Sequence, residues 1–131
     1  MIDNNELRLG NTVKYNEEFC FVDAIHTNTF AVVHNTQSYL LTPDCVEPIL
    51  LKEDVLLKCG FKKDKLGHFN LSWSLGMDKT KTIQFELGDD YIFCSFWIGI
   101  GNDKTFLVCK YLHQLQNLYY AITGKELEVH I

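Results

Sequence analysis

Residues 9–25 read Leu9-Gly10-Asn11-Thr12-Val13-Lys14-Tyr15-Asn16-Glu17-Glu18-Phe19-Cys20-Phe21-Val22-Asp23-Ala24-Ile25. Leu9, Asn11, Val13 and Tyr15 alternate with smaller or polar neighbours, the period-two pattern of a strand with one face turned inward. Asn16-Glu17-Glu18 interrupts it with turn-forming residues, and aromatic and β-branched residues resume at Phe19. Strand, turn and strand in so short a span predict an antiparallel hairpin. Phe30-Ala31-Val32-Val33-His34 and Ser38-Tyr39-Leu40-Leu41 repeat the theme, with turns at Thr27-Asn28 and Asn35-Thr36-Gln37. Short strands packed this closely within residues 7–50 predict a small curled sheet or SH3-like β-barrel. Pro43 and Pro48, which cannot donate to a ladder, mark its exit.

Beyond that exit, Lys52 to Cys59 has the pattern of a short linking helix. Val55, Leu56 and Cys59 share one face, Glu53 and Asp54 occupy the first turn and Lys58 the last, an arrangement that complements the helix dipole. Gly60 is placed to take the left-handed conformation that ends such a helix, with Phe61 folding back on it. Phe69, Leu71, Trp73 and Leu75 then alternate with polar residues, as do Ile83, Phe85 and Leu87. Residues 91–98 are apolar on both faces and belong in the middle of a sheet. With turns at Gly88-Asp89-Asp90 and Gly99 to Asp103 and a strand from Thr105 to Cys109, this is an antiparallel meander. Lys110 to Thr123 is a helix with Leu112, Leu115, Leu118, Tyr119 and Ile122 along one stripe, capped by Gly124, and the stripe is expected to lie across the meander. Alternating Leu127, Val129 and Ile131 predict a closing strand. The expected fold is α+β, with a barrel-like lobe over residues 1–50 and a meander-plus-helix lobe over residues 51–131.

Composition limits the function classes. The 131 residues are 47% hydrophobic and 22% charged, the balance of a globular chain able to bury about two-thirds of its surface. Net charge is −5, and residues 1–50, with seven acids against two bases, supply the whole imbalance. That sign argues against strong non-specific binding to duplex DNA. Five widely spaced cysteines and no apolar leader point to a reducing cytoplasm. No apolar run approaches the ~20 residues that span a bilayer, so no membrane is expected as a partner.

Motifs for chemistry are sparse. Cys109 and His113 are four apart, a spacing that pairs thiol with imidazole if helical geometry already holds at Cys109. A small Cys/His enzyme is therefore one alternative, although Cys109 also continues the apolar alternation of its strand. No two cysteines are close enough for a zinc motif, and His26, His34, His68, His113 and His130 are scattered. Gly99-Ile100-Gly101 lacks the third glycine and the following helix of a phosphate loop. Asp89, Asp90 and Asp103 lack the spacing of a calcium loop. The expectation is no catalytic residue, no metal and no cofactor. Lys58, Lys62, Lys63 and Lys65 form the local basic patch, where lysines meeting phosphates beside a stacking Trp73 or tyrosine would make a nucleic-acid groove. That is a second alternative, and it is not favoured. Aromatic residues exceed what a core of this size requires. Adjacent Phe96 and Trp97 must face opposite ways on a strand, and Tyr120 diverges from the helix stripe, so Trp97 and Tyr120 are the candidate exposed aromatics.

The stretch Tyr111-Leu112-His113-Gln114-Leu115-Gln116-Asn117-Leu118-Tyr119-Tyr120-Ala121-Ile122-Thr123-Gly124-Lys125-Glu126-Leu127 resembles the C-terminal signature of a family of small proteins encoded by Bacteroides-type gut bacteria and their phages and prophages. Asn5-Glu6-Leu7-Arg8-Leu9-Gly10-Asn11, and Glu47-Pro48-Ile49 through Leu56-Leu57-Lys58-Cys59-Gly60-Phe61, resemble the same family. The resemblance implies a mobile-element setting and an intracellular product; it carries no catalytic or ligand role onto these positions. Lys52 stands where the family often has threonine, which removes a hydroxyl N-cap. Taken together, the expected function is that of a non-enzymatic interaction module whose partner is another protein, of host or phage origin.

Overall fold

A computed structural model describes residues 6–74, 80–87, 92–97 and 104–130. The chain divides into two compact units, one of residues 1–50 with 111–127 and 131, the other of residues 51–110 with 128–130. In sequence, the second unit is thus inserted into the first.

In the first unit, β1 (Thr12–Tyr15), β2 (Glu18–Ile25), β3 (Phe30–His34) and β4 (Gln37–Leu41) form an antiparallel sheet in chain order. Two-residue turns join β1 to β2 and β3 to β4, with Tyr15 opposite Glu18 and His34 opposite Gln37. Asn16, Glu17, Asn35 and Thr36 all have positive φ, between 48° and 66°. Both turns are therefore of the kind whose twist matches that of the strands. The register places Val13, Cys20, Val22, Phe30, Val32 and Leu41 in one cluster with Leu7 and Val46, and Tyr15 and Tyr39 pack at its margin. A bulge at Asp23 inserts one residue, so Val22 pairs with Val32 while Ile25 pairs with Phe30. Among the described residues the sheet does not close into a barrel: β1 and β4 are its two edges.

β1 has its free edge filled. Thr12 and Lys14, two residues apart, turn their backbone N–H groups the same way, away from β2. After the 3-10 turn Pro43–Cys45, Glu47 exchanges backbone hydrogen bonds with Lys14 at 2.8 and 2.9 Å. The Thr12 N–H donates instead to Gln116 Oε1 at 2.7 Å, and Gln116 Nε2 donates to Thr12 Oγ1 at 3.1 Å. Gln116 lies towards the far end of the chain, on the helix Leu112–Thr123, whose buried positions include Leu112, His113, Leu115 and Gln116. That helix packs within the first unit, on the β1 side of the N-terminal sheet. The polar side chains of His113 and Gln116 are part of its packed face.

In the second unit, α1 (Glu53–Lys58) is followed by β5 (Lys62–Lys63), β6 (Phe69–Ser74), β7 (Thr80–Leu87), β8 (Ile92–Trp97) and β9 (Lys104–Val108), an antiparallel sheet in chain order. The meander stands as expected, with β8 inside it; the turns expected at residues 88–90 and 99–103 lie outside the described residues. α1 starts at Glu53 with no side-chain cap on Lys52 and ends as anticipated. Gly60 has φ +87°, its N–H donates to Leu57 O, and Phe61 N–H reaches back to Leu56 O, both at 3.1 Å. The Leu112–Thr123 helix, α2, ends on Gly124 at φ +72°. Residues 125–130 form no strand. Leu127 is buried and its neighbours Glu126 and Glu128 exposed, so the alternation is real, but His130 N–H finds Lys58 O at 2.8 Å instead of a ladder.

Gln116→Leu leaves the Thr12 N–H buried and unanswered, and is expected to lower unfolding free energy by about 1–3 kcal/mol in urea titration. Glycine at Thr36 or Glu17 relieves a side chain held at positive φ; each substitution is expected to raise stability by about 1 kcal/mol in the same assay.

Candidate functional site

The two tight turns lie at the same end of the N-terminal sheet. A hollow of about 100 Å³ opens there, lined by Tyr15, Asn16, Glu18, Cys20, His34 and Tyr39. Strand register explains the company. Tyr15 opposes Glu18, Val13 opposes Cys20, and Val32 opposes Tyr39, so these side chains share the face that carries the core. The Tyr15 and Tyr39 rings are 5.8 Å apart and tilted by 47°. Tyr39 Oη donates to Gln37 Oε1 at 2.6 Å, which leaves its oxygen free to accept.

His34 ties the two hairpins together. Its Nδ1 lies 3.2 Å from the Phe19 carbonyl, which can only accept, so Nδ1 carries the proton. Nε2 pairs with the Glu18 carboxylate and lies 2.9 Å from Asn35 Nδ2. Burial pushes the Cys20 thiol pKa up, with Glu18 adding to the effect, so the sulfur in this hollow is a neutral S–H and not a nucleophile.

A second polar cluster joins the chain's two ends. Arg8 makes a bidentate pair with Glu126, donates through Nε to Asn117 Oδ1 at 3.2 Å, and places its guanidinium 4.3 Å above the Tyr120 ring. Asn11 Nδ2 donates to the same Asn117 oxygen at 2.8 Å, and Asn117 Nδ2 donates to Glu6 O at 2.8 Å. His113, 1% exposed, is stacked on Tyr111 and lies 3.2 Å from Glu6 Oε2 through Nε2, while Nδ1 has no partner. Burial lowers the His113 pKa against the opposing pull of Glu6. These contacts are architectural: among the buried side-chain N and O atoms of the described residues, His113 Nδ1 alone lacks a partner.

The residues singled out from the sequence fall on separate elements. Tyr120 is exposed at 44%, with Arg8 covering one ring face. Trp97 ends β8, opposite Thr82 and Lys104. Lys62 and Lys63 are neighbours on β5 and point to opposite sides; Lys63 Nζ lies 3.3 Å from Glu53 and 5.8 Å from the centre of the Phe69 ring. Lys65 is an exposed turn residue, and Lys58 is half-buried at the end of α1. Their turn is organised by an acid: the Asp64 carboxylate accepts from Asn70 Nδ2 and from the His68 and Leu66 N–H groups, each at 2.9 Å, and these bonds lower its pKa. The helical spacing proposed for Cys109 and His113 does not apply, because Tyr111 is extended (φ −119°, ψ 153°) and the helix begins at Leu112. Among the described residues, no group of three or more His, Cys, Asp and Glu side chains is arranged to hold a metal ion, and no helix is long and apolar enough to cross a membrane. No protein-family model, curated protein or solved structure matches the chain.

The sequence reading passed over Tyr15, Glu18, His34 and Tyr39. Two-residue turns at Asn16-Glu17 and Asn35-Thr36 were the available signal, since they fix the register that brings the four together.

Cys20, Cys59 and Cys109 are buried and Cys45 is exposed; burial pushes the Cys59 thiol up to about 12. Native-state alkylation followed by mass spectrometry is expected to modify Cys45 first among these four, and the other three only on unfolding. His113 gives a pH signature. Its folded-state pKa is lowered, so the unfolded chain binds the extra proton and stability falls as pH drops through about 6.5. The expected slope is at most about 1.4 kcal/mol per pH unit, and the difference between wild type and His113→Gln in denaturant titrations from pH 8 to 5 isolates it.

Proposed function

We propose that the protein is a non-enzymatic interaction module that binds another protein through its N-terminal sheet. The observation that carries this reading is the outward face of that sheet. Phe21 is 42% exposed and Leu40 66%, and the register sets Phe21 beside Val33, and Ala24 and Leu40 on either side of Ala31. An apolar stripe across three strands, in the part of the chain that holds the acid excess, suits a partner with apolar and basic groups. β4 adds a second feature: among the described residues no strand pairs with its far edge, which leaves backbone groups for an extended segment to engage.

The non-enzymatic part of the reading is supported by the neutral thiols of Cys20 and Cys59 and by a buried His113 that engages Glu6. A cytoplasmic setting is supported by Cys20, Cys45, Cys59 and Cys109, all of them thiols. The SH3-like part of the fold reading is supported by the 3-10 turn after β4 and the return of Glu47 to β1. The resemblance to the gut-bacterial and phage family supplies the mobile-element setting, and two of its three blocks, residues 5–11 and 111–127, are the ones that meet in the Arg8–Asn117 cluster.

Affinity capture from nuclease-treated bacterial lysate tests the reading. Wild type is expected to retain a defined protein that Phe21→Asp with Leu40→Asp loses, at unchanged stability because both side chains are exposed. Retention of the same proteins by both forms would remove this face from the proposal.

A further inference from the structure

We infer that β4 pairs with the β4 of a second copy of this chain, edge to edge and antiparallel, so that the N-terminal sheets of both copies join across a two-fold axis. The inference goes beyond the protein-interaction reading and does not depend on it. It starts from parity. The two-residue turn makes His34 and Gln37 a hydrogen-bonded pair, and after them Val32 with Tyr39 and Phe30 with Leu41. The residues between, Ser38 and Leu40, therefore turn their N–H and C=O groups away from β3. The same counting on β1 turns Thr12 and Lys14 outward, and there the partners are in place, Gln116 and Glu47. On β4, among the described residues, nothing meets the outward groups of Ser38 and Leu40.

Natural sheets blunt an open edge with charge, proline, a bulge or brevity. The sheet of the second unit does so: β5 is two residues long, both of them lysine, and β9 carries Lys104. β4 does not. Gln37-Ser38-Tyr39-Leu40-Leu41 holds no charged residue and no proline, pairs with β3 without a register shift, and leaves Leu40 66% exposed.

Charge and symmetry identify the occupant. Each copy carries a net charge of −5, so copies repel one another except where they meet through uncharged surface, and β4 is an uncharged strip on the acid-rich part of the chain. Pairing about a two-fold through Tyr39 sets Ser38 opposite Leu40 of the second copy and Leu40 opposite its Ser38, each pair exchanging both backbone hydrogen bonds. Tyr39 then meets Tyr39 of the second copy in the closer, non-hydrogen-bonded pair, and the Leu40 side chains lie diagonally on the opposite face. Aromatic meets aromatic, apolar meets apolar, and no charge meets its like. Neighbouring registers are worse. A centre on Leu40 would call on the Thr42 carbonyl, which already accepts from the Cys45 N–H at 3.0 Å just before Pro43 ends the strand. A centre on Ser38 would call on Thr36, which lies in the turn at φ 66°. One open edge per copy closes the assembly at a dimer. So short a contact buries less than the roughly 800 Å² per partner of a standard complex, and the dimer therefore forms at about 10 µM to 1 mM.

Sedimentation equilibrium of the full chain across that range, with amide hydrogen exchange at low and high concentration, is the test. A monomer–dimer equilibrium without larger species is expected, strengthened by salt because screening weakens the repulsion between acidic copies. Exchange at Ser38 and Leu40 is expected to slow as concentration rises, whereas Tyr39 and Leu41, already bonded to β3, exchange slowly throughout. Leu40→Pro removes an N–H that β3 does not use and is expected to weaken the dimer about tenfold or more. Leu40→Glu, a change at an exposed side chain, sets like charges near the axis and is expected to do the same, which keeps the test valid if proline disturbs the strand. A chain that stays monomeric, exchange at Ser38 and Leu40 that ignores concentration, or a dimer that both variants retain would overturn the assignment. So would a dimer that salt weakens, which would point instead to the lysines of residues 58–65 meeting the acid-rich part of a second copy.

Discussion

The N-terminal sheet depends on one side-chain amide. Thr12 is fully buried, its N–H faces away from β2, and Gln116 Oε1 accepts it while Gln116 Nε2 donates to Thr12 Oγ1. A side chain thus does at this position what a neighbouring strand does elsewhere in a sheet. Glu47 does it with backbone at Lys14, and between them the edge of β1 is closed without a full ladder. An exposed strand edge invites pairing with other chains, and a buried unanswered N–H is costly; the glutamine removes both liabilities. It also dictates where α2 must lie, and with it the positions of His113, Asn117 and Tyr120.

Strand positions, both tight turns and the glycine caps of the two helices were legible because each is written in adjacent residues. Asn16-Glu17 and Asn35-Thr36 announce turns by composition, and Gly60 and Gly124 announce helix ends by their place after an apolar stripe. The packing of α2 was not legible. Periodicity sorts residues by polarity, so His113, Gln116 and Asn117 read as a wet face, whereas their partners are Glu6, Thr12 and Asn11, more than one hundred positions away. A polar residue can be buried whenever the other side supplies its hydrogen bonds, and no local pattern reveals the other side. The bulge at Asp23 was hidden for a related reason: an added residue shifts inward positions from Val22 to Ile25, which reads as broken alternation. The closing strand failed because alternating burial at Leu127 requires a hydrophobic surface on one side only, not a paired strand.

The hollow shows the same division. Tyr15, Glu18, His34 and Tyr39 each end or begin a strand and look ordinary one at a time. What unites them is register, since a two-residue turn fixes which residues face each other and parity fixes the face. The hollow is therefore found by counting along two hairpins and not from composition.

The nesting of one unit inside the other sets a schedule for biosynthesis. Thr12 leaves the ribosome 104 residues before Gln116, an interval of about 5–20 s at ordinary elongation rates of about 5–20 residues per second. During that time the meander of residues 62–108 can complete every pairing it makes, while the older sheet waits with an unmet amide on β1. The part of the protein made first is the part finished last, and chaperones that shield strand edges have their natural client in that nascent intermediate.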